Sequence, residues 1–246
     1  MKFVVIISLI LVFFSCKKAE ERRCFKGVGE TSSLEIELNQ SFDTLYLYDD
    51  INYVLVQSET PKLLIEGGEN LITHVGYSVE NEILQITNNN TCNFLRNFRE
   101  KMTVEIHVPT INYIHYEGSE SVTNKDTIQS SSLRIRIRDG AGSVNLTVNV
   151  GYIASTITHG WGDFSLSGNA IVAFVSCRTN SICDTRKLIV ANDMIVDSNT
   201  EGDMYVNGDD NRLRVDLRTG GNVFYTGEPT TITKTRTGSG ELIKLE

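Results

Sequence analysis

The feature that most constrains this chain is a turn signal that recurs about every twenty residues. From Tyr116 onward, each turn of small residues is followed by one apolar residue. These apolar residues, separated by 22, 20, 19, 21, 19 and 19 positions, are Val122, Val144, Phe164, Cys183, Met204, Val223 and Leu242. A fixed period of this length marks a stacked repeat, in which each unit buries its apolar face against the next unit. The chain is therefore predicted to form a solenoid.

Alternating side chains indicate that the repeating unit is built from β-strands. Residues 133–138 and 213–218 alternate aliphatic and charged side chains, which places the aliphatic ones on one face of a strand. The 19 glycines and only 3 prolines suit a chain with many tight turns. We predict an all-β fold, a β-helix-like β-solenoid with coils of about 20 residues and a right-handed sense. The corner glycines Gly162 and Gly202 are expected to adopt positive φ.

The first residues have the composition of an export signal. An apolar run over residues 3–14 stops at Ser15-Cys16, and it is too short for a permanent membrane span, which needs about 20 residues. A small residue directly before a cysteine resembles a bacterial lipobox. An ordinary signal peptide followed by an incidental cysteine is the alternative. We predict a lipoprotein signal peptide at 1–15, a lipidated Cys16 and tether at 16–33, and a single solenoid domain at 34–246.

The charge balance excludes one class of partner. The chain carries 31 acidic and 23 basic side chains, a net charge of −8. A chain with this charge repels nucleic acid and anionic lipid surfaces. The predicted partners are the membrane, through the lipid anchor, and a glycan or an envelope protein; nucleic acid is not among them.

No residue pattern points to catalysis or to a metal. The histidines His74, His107, His115 and His159 have neither the HExxH nor the His-x-His spacing of zinc sites. The Asp49-Asp50 pair lacks the rest of a calcium-binding loop. Neither a Gly-x-Ser-x-Gly motif nor a phosphate-binding loop occurs. We predict no catalytic residue, no metal and no cofactor.

Trp161 is the side chain that a binding function could use most directly. It lies between the corner glycines Gly160 and Gly162. Two interpretations are open. The indole packs over the corner of the adjacent coil, which we favour, or it is exposed and stacks on a sugar or a protein partner.

The cysteines leave a disulfide open. Besides Cys16 the chain contains Cys24, Cys92, Cys177 and Cys183, an even number that suits an oxidising envelope compartment. Cys177 and Cys183 flank one corner and fall at inward positions of the repeat. They either form a bond across the corner or remain small free residues of the core. No CxxC spacing occurs, so a catalytic thiol is not predicted.

Several segments together resemble a known family. They are residues 66–71, 80–86 and 104–109 and the Gly-x-Gly ladder that ends at Gly238-Ser239-Gly240. In these segments the chain resembles Bacteroidetes lipoproteins of the auto-transporter adhesin family with a head GIN domain, over about residues 34–245. One corner departs, because Asn180-Ser181 replaces the glycine pair. The resemblance implies a β-helix-like solenoid and brings no catalytic residues.

The resemblance and the anchored repeat together predict a class of function. We expect a non-enzymatic outer-membrane or cell-surface lipoprotein, an adhesin or envelope-binding scaffold, with the periplasmic and the surface face both open. The alternative is a polysaccharide-active enzyme on a β-helix scaffold. Thr44 and Thr127 each follow an aspartate and precede an apolar residue. This pattern is O-glycosylated in exported proteins of that group, so both are candidate sites, with coincidence as the alternative.

Overall fold

The computed structural model describes residues 26–91 and 101–246. Within these ranges the strands form one continuous sheet that coils on itself, and the helix α1 (Glu69–Ile72) is a single turn. The strands are β1 (Thr31–Glu37), β2 (Thr44–Asp49), β3 (Ile51–Gln57), β4 (Lys62–Gly68), β5 (Val75–Glu80), β6 (Ile83–Asn88), β7 (Met102–Val108), β8 (Tyr113–Gly118), β9 (Ser121–Asn124), β10 (Ile128–Ile137), β11 (Ser143–Ile157), β12 (Asp163–Thr179), β13 (Cys183–Thr200), β14 (Met204–Asn207), β15 (Arg212–Leu217), β16 (Val223–Thr226), β17 (Thr231–Arg236) and β18 (Leu242–Lys244). The predicted all-β solenoid is confirmed.

Each coil contributes strand segments to two stacked parallel faces. The front face contains β7, β3, β9, the first parts of β11, β12 and β13, and then β14, β16 and β18. The return face contains β6, β2, β8, β10, the last parts of β11, β12 and β13, and then β15 and β17. The three long strands bend between the faces. In β12 and β13 this bend is marked by a register shift between Ala170 and Val172.

The core consists of apolar columns that run through the stack. The column predicted from the repeat is confirmed, because each member lies opposite the next in the parallel ladders. Its buried members are Val122, Val144, Phe164, Cys183, Met204 and Val223. Stacking each apolar residue on its equivalent in the next coil keeps the core continuous without any helix.

The order of the coils in space differs from their order in the sequence. Strand β2 lies between β6 and β8, and β3 lies between β7 and β9. The coil of β2 and β3 is therefore inserted between the coil of β6 and β7 and the coil of β8 and β9. The turn spacing after Tyr116 contains no information about this insertion.

Antiparallel strands cover the amino-terminal end of the stack. Strand β4 pairs antiparallel with β7 and with β1, and β5 pairs antiparallel with β6. Strand β1 begins at Thr31, so the last residues of the tether predicted at 16–33 belong to the sheet. The signal peptide and Cys16, Cys24 and Cys92 lie outside the described residues.

The expected role of the corner glycines is wrong. Gly162 and Gly202 do not have positive φ, whereas the turn glycines Gly160, Gly168 and Gly227 do, at +92°, +100° and +81°. A Cβ added to Gly202 would lie 2.4 Å from the Ser181 carbonyl oxygen, and one added to Gly162 would lie 2.7 Å from Ile137 Cγ2. These positions need glycine because neighbouring coils approach too closely for a side chain.

Candidate functional site

One corner of the solenoid forms a shallow, open depression, which we call the corner shelf. It is lined by the turns at residues 49–50, 117–119, 139–141 and 160–161 and has a volume of about 450 Å³. Gly140 bridges to Gly160, and a Cβ at Gly160 would lie 2.5 Å from the Gly140 carbonyl oxygen. A Cβ at Gly140 would lie equally close, 2.5 Å, to the Gly118 carbonyl oxygen. At these glycines the coils stack backbone on backbone, with no room for a side chain between them.

Trp161 stands at one end of the corner shelf. Its backbone N–H donates to the Gly140 carbonyl oxygen at 2.8 Å, which fixes the turn against the preceding coil. The side chain is 69% exposed. The interpretation that the indole packs over the adjacent corner is therefore wrong, and the indole is available to a ligand. Glycines on both sides leave no neighbouring side chain to cover it.

Carboxylates line the rest of the shelf, and neighbouring groups hold each of them in place. Asp49 Oδ2 accepts the backbone N–H of Asn88 at 2.8 Å, and Asp50 Oδ1 accepts the Asn88 side-chain amide. Asp139 Oδ2 accepts from Arg138 Nε at 2.9 Å. Glu117, also on the shelf, lies 2.8 Å from His115 Nε2 through its Oε1.

This arrangement suits a neutral polar ligand with one apolar face. A carboxylate offers about four acceptor directions, so one fixed by a single neighbour can still accept hydrogen bonds from ligand hydroxyls. The exposed indole offers a rigid apolar surface on which the C–H face of a sugar ring can stack. The negative charge around the shelf disfavours anionic ligands.

The structure also defines the surroundings of the histidines. His107 Nε2 lies 2.8 Å from Glu105 Oε1, and His115 makes the contact with Glu117 described above. In residues 26–91 and 101–246, no group of three or more His, Cys, Asp and Glu side chains is placed to hold a metal ion. Across the same residues, no helix has the length and apolar character needed to cross a membrane.

Cys177 and Cys183 are brought together across their corner. Both are buried, their Cα atoms are 7.0 Å apart, and their sulfur atoms lie within bonding distance. The geometry suits the bonded interpretation from the sequence, and the covalent bond itself stays a prediction. The two candidate glycosylation sites differ in exposure. Thr127 is exposed, whereas Thr44 is half-buried and its hydroxyl donates to Asp43 at 2.9 Å.

Sequence reasoning identified Trp161 but did not assemble its surroundings. Asp49 and Asp139 come from coils that are far apart in the chain. They line the same depression because the inserted coil of β2 and β3 stacks on the coil of β8 and β9, which in turn stacks on β10. The available signal was modest. Each aspartate follows the last buried residues of a return-face strand, at the point where the corner begins.

Comparison with known proteins places the fold in a family. The family model described as "Putative auto-transporter adhesin, head GIN domain" matches residues 41–229. The chain belongs to this family. No curated protein matches the chain. The head GIN match includes every turn of the corner shelf and ends before β17.

Solved structures share the head GIN fold at low sequence identity. A putative adhesin from Bacteroides fragilis has a TM-score of 0.76 at 19% identity, covering 88% of this chain and 97% of its own. A putative lipid binding protein from Parabacteroides distasonis has a TM-score of 0.63 at 17% identity, with coverage of 89% and 98%. A putative adhesin from Parabacteroides merdae has a TM-score of 0.59 at 18% identity, with coverage of 89% and 98%. At these identities the likeness concerns the fold alone.

Proposed function

We propose that this head GIN protein is a lipid-anchored, non-enzymatic adhesin of the outer membrane that binds a neutral glycan on the corner shelf. The observation that carries the proposal is the exposed Trp161 beside a glycine surface lined with fixed carboxylates. An indole that loses little rotamer freedom on binding contributes a large apolar area. The family description as an adhesin supports a binding role at the cell surface.

The binding test uses Trp161 as the variable residue. The purified full-length protein is screened on an array of neutral and acidic glycans, and Trp161→Ala is then compared with the parent on each glycan that binds. We expect Trp161→Ala to weaken binding of a neutral glycan at least tenfold, equivalent to about 1.4 kcal/mol. Its free energy of unfolding should stay within about 0.5 kcal/mol of the parent because the side chain is exposed.

Ile189→Ala is the matched control. Ile189 is also a large exposed apolar side chain, at 60% exposure, but it does not line the corner shelf. Its removal should leave glycan binding unchanged. Equal losses for the two variants would contradict a site at Trp161. If the parent hydrolyses a polysaccharide and Asp49→Asn or Asp139→Asn abolishes this activity, the protein is an enzyme and the proposed adhesin function is wrong.

The lipid anchor is tested separately. We expect Cys16→Ser to release the protein from the membrane fraction, because the predicted acyl chains can no longer be attached to a thiol at that position. Cys24→Ser is the control, since Cys24 is also close to the amino terminus but does not follow the apolar run directly. If the Cys16→Ser protein stays as firmly bound to the membrane as the parent, the proposed lipid anchor at Cys16 is wrong.

A further inference from the structure

A second concave surface crosses the return face, and we call it the arginine groove. Its volume is about 390 Å³. The floor consists of two small outward residues of β11, Ala154 and Thr156, and of Thr158, which follows the end of the strand. In the parallel register Ala154 lies between Arg134 of β10 and Phe174 of β12. The groove exists because one coil carries short side chains between two coils that carry long ones.

Three arginines line this groove without a carboxylate partner. Arg134, Arg136 and Arg178 are exposed, and none forms an ion pair with a carboxylate in the part of the chain that the structure describes. Other exposed arginines on this face do have carboxylate partners. Arg138 pairs with Asp139 at 2.9 Å, and Arg212 pairs with Asp193 through its guanidinium. The arginine groove is therefore a locally positive surface on a chain with a net charge of −8.

Among the described residues, the groove wall has one carboxylate, Asp197, and its charge is already compensated. Asp197 Oδ1 lies 2.6 Å from Arg218 Nε, and its Oδ2 accepts from the Ser176 hydroxyl at 3.2 Å. Since Arg218 offsets this charge, the three arginines dominate the field in the groove. A guanidinium presents a planar fork of donors that matches the two oxygens of a carboxylate or a sulfate.

Aromatic and hydroxyl groups complete the lining. Tyr113 and Phe174 are half-buried and stand on opposite sides of the floor. The hydroxyls of Thr156 and Thr158 lie 3.3 and 3.4 Å from backbone carbonyl oxygens of β10, so their own oxygens can accept from a ligand.

We propose that the arginine groove binds an acidic polysaccharide, through the carboxylates or sulfates that the sugar units carry. The guanidinium groups donate hydrogen bonds to the anionic groups, and the threonine hydroxyls hydrogen-bond sugar hydroxyls. Tyr113 and Phe174 pack against the apolar faces of the sugar rings. Single-stranded DNA is the competing anionic polymer, and its binding is one of the outcomes of the test. This site is separate from the corner shelf and goes beyond the proposed function.

Binding is measured with the purified full-length protein against polygalacturonate, heparin, dextran and single-stranded DNA. We expect one of the two anionic polysaccharides to bind, and the tighter one identifies carboxylate or sulfate as the recognised group. Dextran, which is neutral, should not bind. No binding of either anionic polysaccharide, or equally tight binding of dextran or DNA, would overturn the proposal.

Matched variants locate the site. Arg134→Gln with Arg178→Gln should weaken binding at least about tenfold. Arg212→Gln with Arg214→Gln removes the same charge from the same face, outside the groove, and should change binding less than about twofold. Ala154→Phe keeps every charge and fills the floor, so it should also weaken binding at least about tenfold. Trp161→Ala should leave this binding intact. If the two double variants weaken binding equally, binding depends on net charge and not on the groove, and the proposed site is overturned.

Discussion

Lys234 lies directly opposite Val215 in the parallel ladder between β15 and β17. Val215 and its equivalents in the two preceding coils, Val196 and Val175, are buried in the core, whereas Lys234 is exposed. Arg236 stands in the same way opposite the buried Leu217. Within the described residues, β17 pairs on one edge only, so these cations occupy inward positions of the last coil. Inward-pointing charge on an edge strand disfavours the addition of another strand.

Replacing these cations should allow the solenoids to stack end to end. We expect Lys234→Val with Arg236→Leu to self-associate at concentrations where the parent does not, because the last coil then continues the apolar columns. Light scattering after size exclusion measures this. Thr233→Val with Thr235→Leu is the control, since these side chains lie on the outer face of the same strand. Association of the control to the same extent would show that added apolar area alone is responsible.

Phe164 should be a major contributor to stability. It is 2% exposed and lies opposite Val144 and Cys183 in the adjacent coils. Phe164→Ala should lower the free energy of unfolding by about 3–5 kcal/mol, the usual range for a buried phenylalanine. Chemical denaturation measures the change. A loss under about 0.5 kcal/mol, which is typical of surface positions, would remove Phe164 from the core.

Gly202 should reject any side chain, whatever its backbone preference. A Cβ at this position meets the Ser181 carbonyl oxygen at 2.4 Å, so Gly202→Ala should cost about 1–3 kcal/mol through overpacking. Gly202→Asn should cost as much, although asparagine tolerates positive φ. Restored stability in the asparagine variant would show that φ is the constraint after all. Gly27→Ala is the control and should be neutral, because nothing lies within 4 Å of its added Cβ.

Ser155 places an unpaired hydroxyl in the core. Its Oγ is buried and has no hydrogen-bond partner among the described residues, at a position opposite Ile135 and Val175. Ser155→Ala should raise the free energy of unfolding by up to about 1 kcal/mol, because no hydrogen bond is lost. Ser176→Ala should lower it by about 1 kcal/mol, because Asp197 loses a donor. Thermal and urea unfolding measure both variants. A change in the free energy of unfolding with the same sign in both would contradict this expectation.

The pair Cys177 and Cys183 should be oxidised in the exported protein. Alkylation without reductant, followed by peptide mass analysis, is expected to leave both thiols unlabelled and to recover the linked peptide. Closing so short a loop, with a sequence separation of 6, should contribute about 2 kcal/mol to the free energy of unfolding. Labelling of both cysteines in the folded protein under the same conditions would show that they are free residues of the core.

The sequence by itself determined the repeat, the inward column and the charged outer faces. Periodicity carries this information because each coil from Val122 to Val223 stacks on the next one in the chain, so an apolar residue at a fixed spacing always meets its equivalent. The alternation of residues 133–138 likewise placed Arg134 and Arg136 outside. Trp161 was visible as an aromatic residue between two glycines.

Only the tertiary structure decided which coils are neighbours and what the corners contain. The coil of β2 and β3 is inserted between later coils, and this choice depends on long-range pairing that no local period encodes. The insertion brings Asp49 to the same shelf as Asp139 and Trp161. The arginine groove depends in the same way on which side chains flank Ala154 in adjacent coils. Both sites are formed between coils, because a solenoid creates its surface by stacking segments that are distant in the chain.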